Sequence, residues 1–336
     1  MPPAEPHQTH QRVALSIVST LYRSEKYIQE FCRRSAAAAE RLVGHDYEIV
    51  LVNDGSPDES LGMAIDLAHD IPRIVVVDLS RNFGHHKAMM TGLQYSRGQQ
   101  IFLMDSDLEE DPEWLDNFAA KLQEHRCDVV YGVQISRKGD RVERWTGTWF
   151  YRIFNSLTGL ALPENIVVAR LMTRRYVDAL LQHDEREVFM AGLWQITGFA
   201  QTAIPVVKHS RAESTYSLKL KVELLVNSVT SFSNIPLYAI FYVGATISLL
   251  ASIGSAYIIV LRLFSSTPLS GWTSVMASIW LIGGLIISFV GIIGIYLAKV
   301  FSETKRRPYT IVREVYRVRH DSDGIARSLS GELISK

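Results

Sequence analysis

Two carboxylates one residue apart, Asp105 and Asp107, follow directly on the apolar run Ile101-Phe102-Leu103-Met104. Such a pair at the end of a buried strand suits a hard divalent cation, Mg2+ or Mn2+. These ions take few protein carboxylates and complete their shell with phosphate oxygens and water. Ser106 lies between the two, and Glu109, Glu110 and Asp111 add negative charge. The same acidic turn could simply be a solvated cap for a helix starting at Pro112. Two more turns of related composition also follow apolar runs. In Val52-Asn53-Asp54-Gly55-Ser56, Asp54 is expected to face a crevice and Gly55 to admit a ligand close to the backbone. Asp58 is expected to cap the next helix. In Ser80-Arg81-Asn82-Phe83-Gly84, Arg81 and the nearby Lys87 offer positive charge to phosphate. His85 and His86 read as helix-start residues, because neighbours on a helix send their side chains in different directions. Each turn alone is an ordinary strand–turn–helix junction. Three in series, one with paired carboxylates, suit a nucleotide diphosphate held through a metal.

Those turns need a scaffold that brings them to one edge. Short β-branched runs cover residues 13–20, 47–53, 73–79, 100–105 and 128–133. Amphipathic stretches at 25–42, 58–69, 85–95 and 112–125 separate them. This alternation predicts an α/β fold with a doubly wound, mostly parallel sheet. Ligands in such sheets bind beyond the carboxyl ends of the strands.

A different composition begins near residue 235 of the 336. Two apolar segments, about 236–264 and 272–301, each exceed the roughly 20 residues that cross a bilayer. Gly244, Gly254, Gly283, Gly284, Gly291 and Gly294 would let the two helices approach closely and permit a homo-oligomer. The link at 265–271 is short and uncharged, so both ends of this hairpin emerge on one side. Lys219 and Lys221 precede it, and Lys299, Lys305, Arg306 and Arg307 close it. The excess of positive charge puts both flanks in the cytoplasm, and Arg262 at the far end can snorkel to the outer headgroups. The reading is an integral protein of the inner or plasma membrane, with its catalytic domain and both termini cytoplasmic. Aromatic-basic stretches at about 144–157 and 219–232 suit helices lying among the membrane lipids at the interface. The expected organisation is a disordered lead-in at 1–12, a catalytic domain at 13–234, two spans within 235–301 and a basic tail at 302–336.

Lysine plus arginine balances aspartate plus glutamate at 35 each, and no basic-aromatic platform favours nucleic acid. Two distant cysteines, Cys32 and Cys127, favour a reducing compartment over a disulfide scaffold.

Residues 13–135 resemble the catalytic domain of family 2 glycosyltransferases with the GT-A fold. The resemblance rests on Leu15-Ser16-Ile17-Val18, Tyr22 and Glu25, then Glu48 to Ser56, Ser80 to Gly84, and Asp105-Ser106-Asp107-Leu108 with Asp111-Pro112-Glu113. With Arg170-Leu171-Met172 and the two apolar segments it covers roughly residues 13–316. The wider pattern is similar to the polyprenyl-phosphate glycosyltransferases, both the dolichyl-phosphate mannose synthases and the bacterial undecaprenyl-phosphate glucosyltransferases. The resemblance implies an inverting hexosyl transfer from a nucleotide-sugar donor, UDP-linked by default, to a polyprenyl phosphate. It implies that Tyr22 and Asp54 contact the nucleoside, with Thr20 and Gly55 beside them. Arg81, Gly84 and Lys87 would face the phosphates. Asp105 and Asp107, with Ser106 between, would hold the metal, and Glu109 stands where relatives often carry glutamine. Arg137 and Arg144 match a basic loop that meets phosphates, and Arg211, Ser214 and Tyr216 match a loop that closes over the site.

The chain departs from the pattern at several positions. Thr20 replaces a proline, Arg23-Ser24 stands for Asn-Glu, and Thr215 for a frequent lysine. Val168-Ala169 replaces Asp-Phe, which removes an acidic residue near the acceptor. A phosphate acceptor is already ionised at neutral pH and needs no strong base. A hydroxyl acceptor on a lipid-linked glycan would need one. That acceptor, or a non-catalytic anchored nucleotide-sugar-binding protein, is the alternative reading.

Overall fold

The computed structural model describes residues 13–135, 156–158, 163, 165–186, 188–209, 226, 229–230, 233–264, 271–320 and 326–328. The lead-in at 1–12 and nearly all of the two expected interface helices lie outside them. The chain divides into two compact units. One comprises Met1–Thr148, Ala161–Thr215 and Pro308–Lys336, the other Trp149–Leu160 and Tyr216–Arg307.

The first unit alternates strand and helix as expected. It runs β1 (Val13–Leu21), α1 (Ile28–Val43), β2 (Tyr47–Asn53), α2 (Ser60–Asp70), β3 (Ile74–Leu79), α3 (His85–Tyr95), β4 (Gly98–Leu103), α4 (Trp114–His125) and β5 (Val129–Gln134). Then come β6 (Ile166–Thr173), α5 (Arg174–Leu180), α6 (Met190–Ile196), β7 (Gln201–Val206), β8 (Val312–His320) and β9 (Ala326–Ser328). Every residue of β2 and β3 is buried, as strands covered on both faces must be. Helix α1 buries Ile28, Phe31, Cys32, Ser35, Ala38 and Ala39, a 3–4-residue spacing that lays one stripe on the sheet. Helix α3 sits unusually close: a Cβ added at Gly92 would fall 2.5 Å from Val18 Cγ1 and 3.0 Å from Val52 Cγ2. That contact holds α3 against β1 and β2.

The sheet order is β7-β5-β6-β4-β1-β2-β3-β8-β9. Strands β1 to β4 are parallel, and chain order reverses between β1 and β4. A crevice therefore opens beyond the carboxyl ends of those two strands. The expectation of a mostly parallel sheet holds only for this centre. Strands β4–β6, β5–β6, β3–β8 and β8–β9 pair antiparallel, against the parallel β5–β7 pair on the far flank. The regular strand–helix alternation ends after β5, and with it the crossovers that keep neighbouring strands parallel.

The C-terminal segment is also corrected. Within the expected tail, residues 312–320 form β8 and extend the catalytic sheet beside β3. Tyr316 packs against the core, among Arg313, Glu314 and Arg317, a charged composition that suits a strand near a sheet edge.

The second unit is dominated by α7 (Ile235–Phe264) and α8 (Trp272–Thr304), 30 and 33 residues long. Their described faces leave Leu249, Leu250, Ile253, Ile286, Ile287 and Val290 exposed. Among the described residues one helix, Leu281–Thr304, is long and apolar enough to cross a membrane, with a mean hydropathy of 2.4. The described apolar stretch of α7, Ile235–Ile247, is shorter. Among the described residues, a Cβ at any of the six glycines would meet nothing within 4 Å.

Candidate active site

The β2 and β3 turns lock against each other. Asp54 is 2% exposed, and its carboxylate accepts the backbone N–H groups of Phe83 at 2.7 Å and Gly84 at 3.0 Å. Gly55 has φ +59°, and a Cβ there would lie 2.4 Å from Asn82 N and 2.6 Å from the Arg81 carbonyl carbon. The close approach that Gly55 permits is therefore to the chain's own Arg81–Asn82 backbone. Gly84, at φ +101°, has nothing within 4 Å of a Cβ position and leaves the start of α3 open. Arg81 is exposed and lays its guanidinium over Phe83, 4.4 Å from the ring centre. Lys87 is half-buried in the first turn of α3.

Serine hydroxyls join the β1 and β4 ends. Buried Ser106 donates to the Thr20 carbonyl at 2.8 Å and lies 3.0 Å from the Ser24 hydroxyl. Tyr22, on the same loop, is 48% exposed, with the Arg23 guanidinium 5.5 Å from its ring centre. The N-cap position of α2 is Glu59, with no side-chain cap. Asp58 instead accepts the N–H groups of Glu25 and Ser60, both at 3.3 Å, which ties the β1 loop to α2.

The acidic turn is held on all sides. His85 Nε2 lies 3.2 Å from Asp105 Oδ1, and His85 Nδ1 lies 3.0 Å from the Thr20 hydroxyl. Burial works to lower the His85 imidazole, but the Asp105 carboxylate, with Asp54 and Asp107 behind it, holds it above its ordinary value. Burial pushes the Asp107 carboxyl up, and the Asp105 charge adds to the effect. Lys208, just beyond β7, approaches Glu109 Oε2 at 3.1 Å and Glu110 Oε1 at 4.0 Å. Its ammonium is held protonated against desolvation by Glu110, Asp105 and Asp107. Asp111 meets Arg34 at 2.7 Å and His209 at 3.0 Å. The turn is thus a paired structure and not a solvated cap.

Glu110 is fully buried; one oxygen accepts the Val168 N–H at 3.0 Å, and the other has no hydrogen-bond partner among the described residues. Burial, then the Asp105 charge, raises its carboxyl strongly. Behind it, fully buried Arg170 stacks on Trp194, 2.9 Å from the ring centre, and burial pushes its guanidinium down to about 9.

Thr20 lies at the carboxyl end of β1, and Tyr22, Asp54, Gly55, Arg81, Gly84, Lys87, Asp105, Ser106, Asp107 and Glu109 lie on the turns after β1 to β4 or the first turn of α3. Arg137, Arg144, Arg211, Ser214 and Tyr216 lie outside the described residues. Sequence reasoning missed His85 as a partner of Asp105, and it missed Lys208 and buried Glu110. Only His85 carried a usable signal, since it begins the helix directly after the glycine turn.

The donor set fits Mg2+ or Mn2+. The Asp107 carboxylate is crowded by burial and by the Asp105 charge, so an added positive charge favours it, and both ions accept one or two carboxylates beside phosphate oxygens. Among the described residues no three acidic, histidine or cysteine side chains gather as a metal-binding group. Glu109, expected as a third ligand, is paired with Lys208.

The family model for glycosyl transferase family 2 matches residues 16–181. A Mycobacterium tuberculosis protein, whose name goes no further than the class glycosyltransferases, is 49% identical over 302 residues, 90% of this chain and 88% of its own. The uncharacterized glycosyltransferase YkcC of Bacillus subtilis is 32% identical, over 90% of this chain and 94% of its own. The SfII prophage-derived bactoprenol glucosyl transferase of Shigella flexneri is 30% identical, over 90% of this chain and 98% of its own. The paired carboxylates, the locked glycine turns and these full-length likenesses agree: the chain is a glycosyltransferase and belongs to glycosyl transferase family 2.

Proposed function

We propose that this enzyme transfers a sugar, with inversion, from a nucleoside-diphosphate donor to a polyprenyl phosphate at the cytoplasmic membrane face. The observation that carries the reading is the Asp105/Asp107 pair at the strand-order reversal, with Thr20 and His85 beside it. The likeness to a bactoprenol glucosyl transferase supports the lipid acceptor. UDP is the favoured nucleotide.

Asp105 and Asp107 would hold Mg2+ or Mn2+, which when bound would supply positive charge to the leaving diphosphate. Tyr22 offers its exposed ring to the base, and Asp54 keeps the Phe83–Gly84 backbone in place beside the donor. Arg81 and Lys87 stand toward the phosphates. Arg137, Arg144 and Arg211 take the acceptor phosphate by charge-assisted hydrogen bonds, while Ser214 and Tyr216 close over the donor. A lipid phosphate oxygen bonds to the anomeric carbon as the carbon–oxygen bond to the nucleoside diphosphate breaks. The acceptor is already an anion, so the missing acidic residue at Val168 is tolerable.

Chain topology supports two spans. Lys208 and Arg313 both belong to the catalytic unit, and the excursion between them contains α7 and α8. A chain that leaves one side and returns to it crosses an even number of times. If Leu281–Thr304 crosses, α7 is the segment that completes the hairpin.

The test is turnover by purified full-length protein with Mg2+ or Mn2+, a panel of nucleotide sugars and a short polyprenyl phosphate. The expected product is an acid-labile lipid glycosyl phosphate of inverted anomeric configuration. An acid-stable product would assign a hydroxyl acceptor instead. Donor binding without turnover across the panel would leave a non-catalytic binding protein.

A further inference from the structure

The strand that follows the hydrophobic helices is built into the back of the proposed donor site. Strand β8 pairs with β3 through Val77–Val315, Asp78–Glu314 and Leu79–Val312. The register slips between Asp78 and Leu79, so Arg313 is the extra, bulged residue. Bulges re-aim a side chain that a regular ladder would point elsewhere. Here the guanidinium of Arg313 meets Asp78 Oδ2 at 3.1 Å and donates to the Ser80 carbonyl at 2.7 Å.

Both partners lead to the proposed donor turns. Buried Asp78 accepts from the Asn53 amide at 2.8 Å, and the Asn53 side-chain oxygen accepts the Ser56 N–H at 3.2 Å. Asn53 and Ser56 bracket Asp54 and Gly55. Ser80 opens the segment whose Phe83 and Gly84 N–H groups bind Asp54. The Ser80 N–H itself donates to the Ile311 carbonyl at 2.9 Å. Further along, the Thr310 hydroxyl lies 2.8 Å from that of Thr91 on α3, and Tyr309 donates to Gln94 at 3.2 Å. Residues 309–313 thus grip both turns and the helix that begins at His85. Helix α8 ends only at Thr304, so a short stretch links the hydrophobic helix to this grip.

We infer that Arg313 is a positioning residue for the nucleoside-diphosphate part of the donor, acting through Asp78 and Ser80 on the 53–56 and 80–84 turns. The inference rests on the donor-site reading above. It makes Arg313, at the bulge of the post-helix strand, part of the binding machinery, where the sequence suggested only a basic tail.

The test uses full-length protein in detergent with Mg2+, titrated with UDP, GDP, ADP and CDP, followed by steady-state kinetics with the donor that works. If wild type binds none of them, the donor-site reading fails, independently of Arg313. If it binds one, Arg313→Ala is expected to weaken that affinity and raise donor KM by about tenfold or more, with kcat and acceptor KM within about twofold. Arg313→Lys, which keeps a charge for Asp78, should recover part of the affinity. Val315→Ala weakens packing on the same strand without touching either turn, and should lower Tm while leaving nucleotide affinity unchanged. Wild-type affinity in Arg313→Ala overturns the inference. So does an equal loss in Val315→Ala, which would mark a general weakening of the strand. If Arg313→Ala does not fold, Arg313→Lys and Arg313→Met carry the same comparison.

Discussion

His85 Nε2 lies 3.2 Å from Asp105 Oδ1, so the first residue of α3 supplies a positive partner to the carboxylate that follows β4. The imidazole titrates above its ordinary 6.5, because Asp105 and its acidic neighbours outweigh burial. A group whose folded value is raised contributes stability below its unfolded value and loses it as pH rises through the folded one. In metal-free protein the Tm advantage of wild type over His85→Gln should therefore be fully present below the ordinary 6.5 and decline as pH rises above it. The half-exposed ring limits it to below about 1 kcal/mol. A Tm difference that grows with pH would show that the contact does not carry the shift.

Asp107 has the opposite consequence. Its carboxyl is raised by burial and by Asp105, so the charged form is disfavoured in the metal-free fold. Asp107→Asn should leave metal-free Tm at neutral pH equal or higher. Turnover should fall by about a hundredfold or more, the usual size of losing one element of charge stabilisation. Asp107→Ala should likewise abolish turnover with the fold intact. Thermal melts and initial rates on the same preparations check both. Retained turnover would remove Asp107 from the proposed chemistry.

Local pattern was a good guide where contacts are local. Strand β2 and helix α3 fall on the residues their periodicity assigned, and the three turns do meet at one sheet edge. The pairing chemistry was not readable because its partners are distant in sequence. Lys208 reaches Glu109 from just beyond β7 across 99 positions, and Arg313 reaches Asp78 across 235. Gly55 shows the same limit. Its residue type announced a crowded turn, but only the fold reveals that the crowding partner is the Arg81–Asn82 backbone. Strand β8 does not alternate in sequence, since Val315 and Tyr316 are adjacent, and its place beside β3 follows from long-range pairing that no local period encodes.

Gly55 gives a sharp test of that packing. Alanine there would carry a left-handed φ of +59° and a Cβ overlapping backbone at 2.4 Å, which has no flexible side chain to move. Gly55→Ala should cost well above about 1 kcal/mol and lose nucleotide binding with it. Gly84→Ala meets no atom within 4 Å, so its cost is the backbone strain of φ +101° and ψ 145° without steric overlap. Thermal melts of the two variants side by side should rank Gly55→Ala as the more damaging. The reverse order would mean that the β2 and β3 turns are not packed together.

The two-span hairpin can be tested with the protein's own cysteines in place. Cys32 is 1% exposed, and burial pushes its thiol up to about 12, so it supplies almost no reactive thiolate. Cys127 is buried as well. New cysteines at Ser270, in the link between α7 and α8, and at Thr304, the end of α8, should therefore dominate labelling. In intact cells an impermeant maleimide should modify Ser270→Cys and spare Thr304→Cys, which should react only after permeabilisation. The catalytic unit receives the chain on both sides of the excursion, so Thr304 must share its compartment if α8 leads directly into β8. Labelling of both positions from outside, or of neither, would rule out the hairpin and with it the placement of the donor site at the cytoplasmic face.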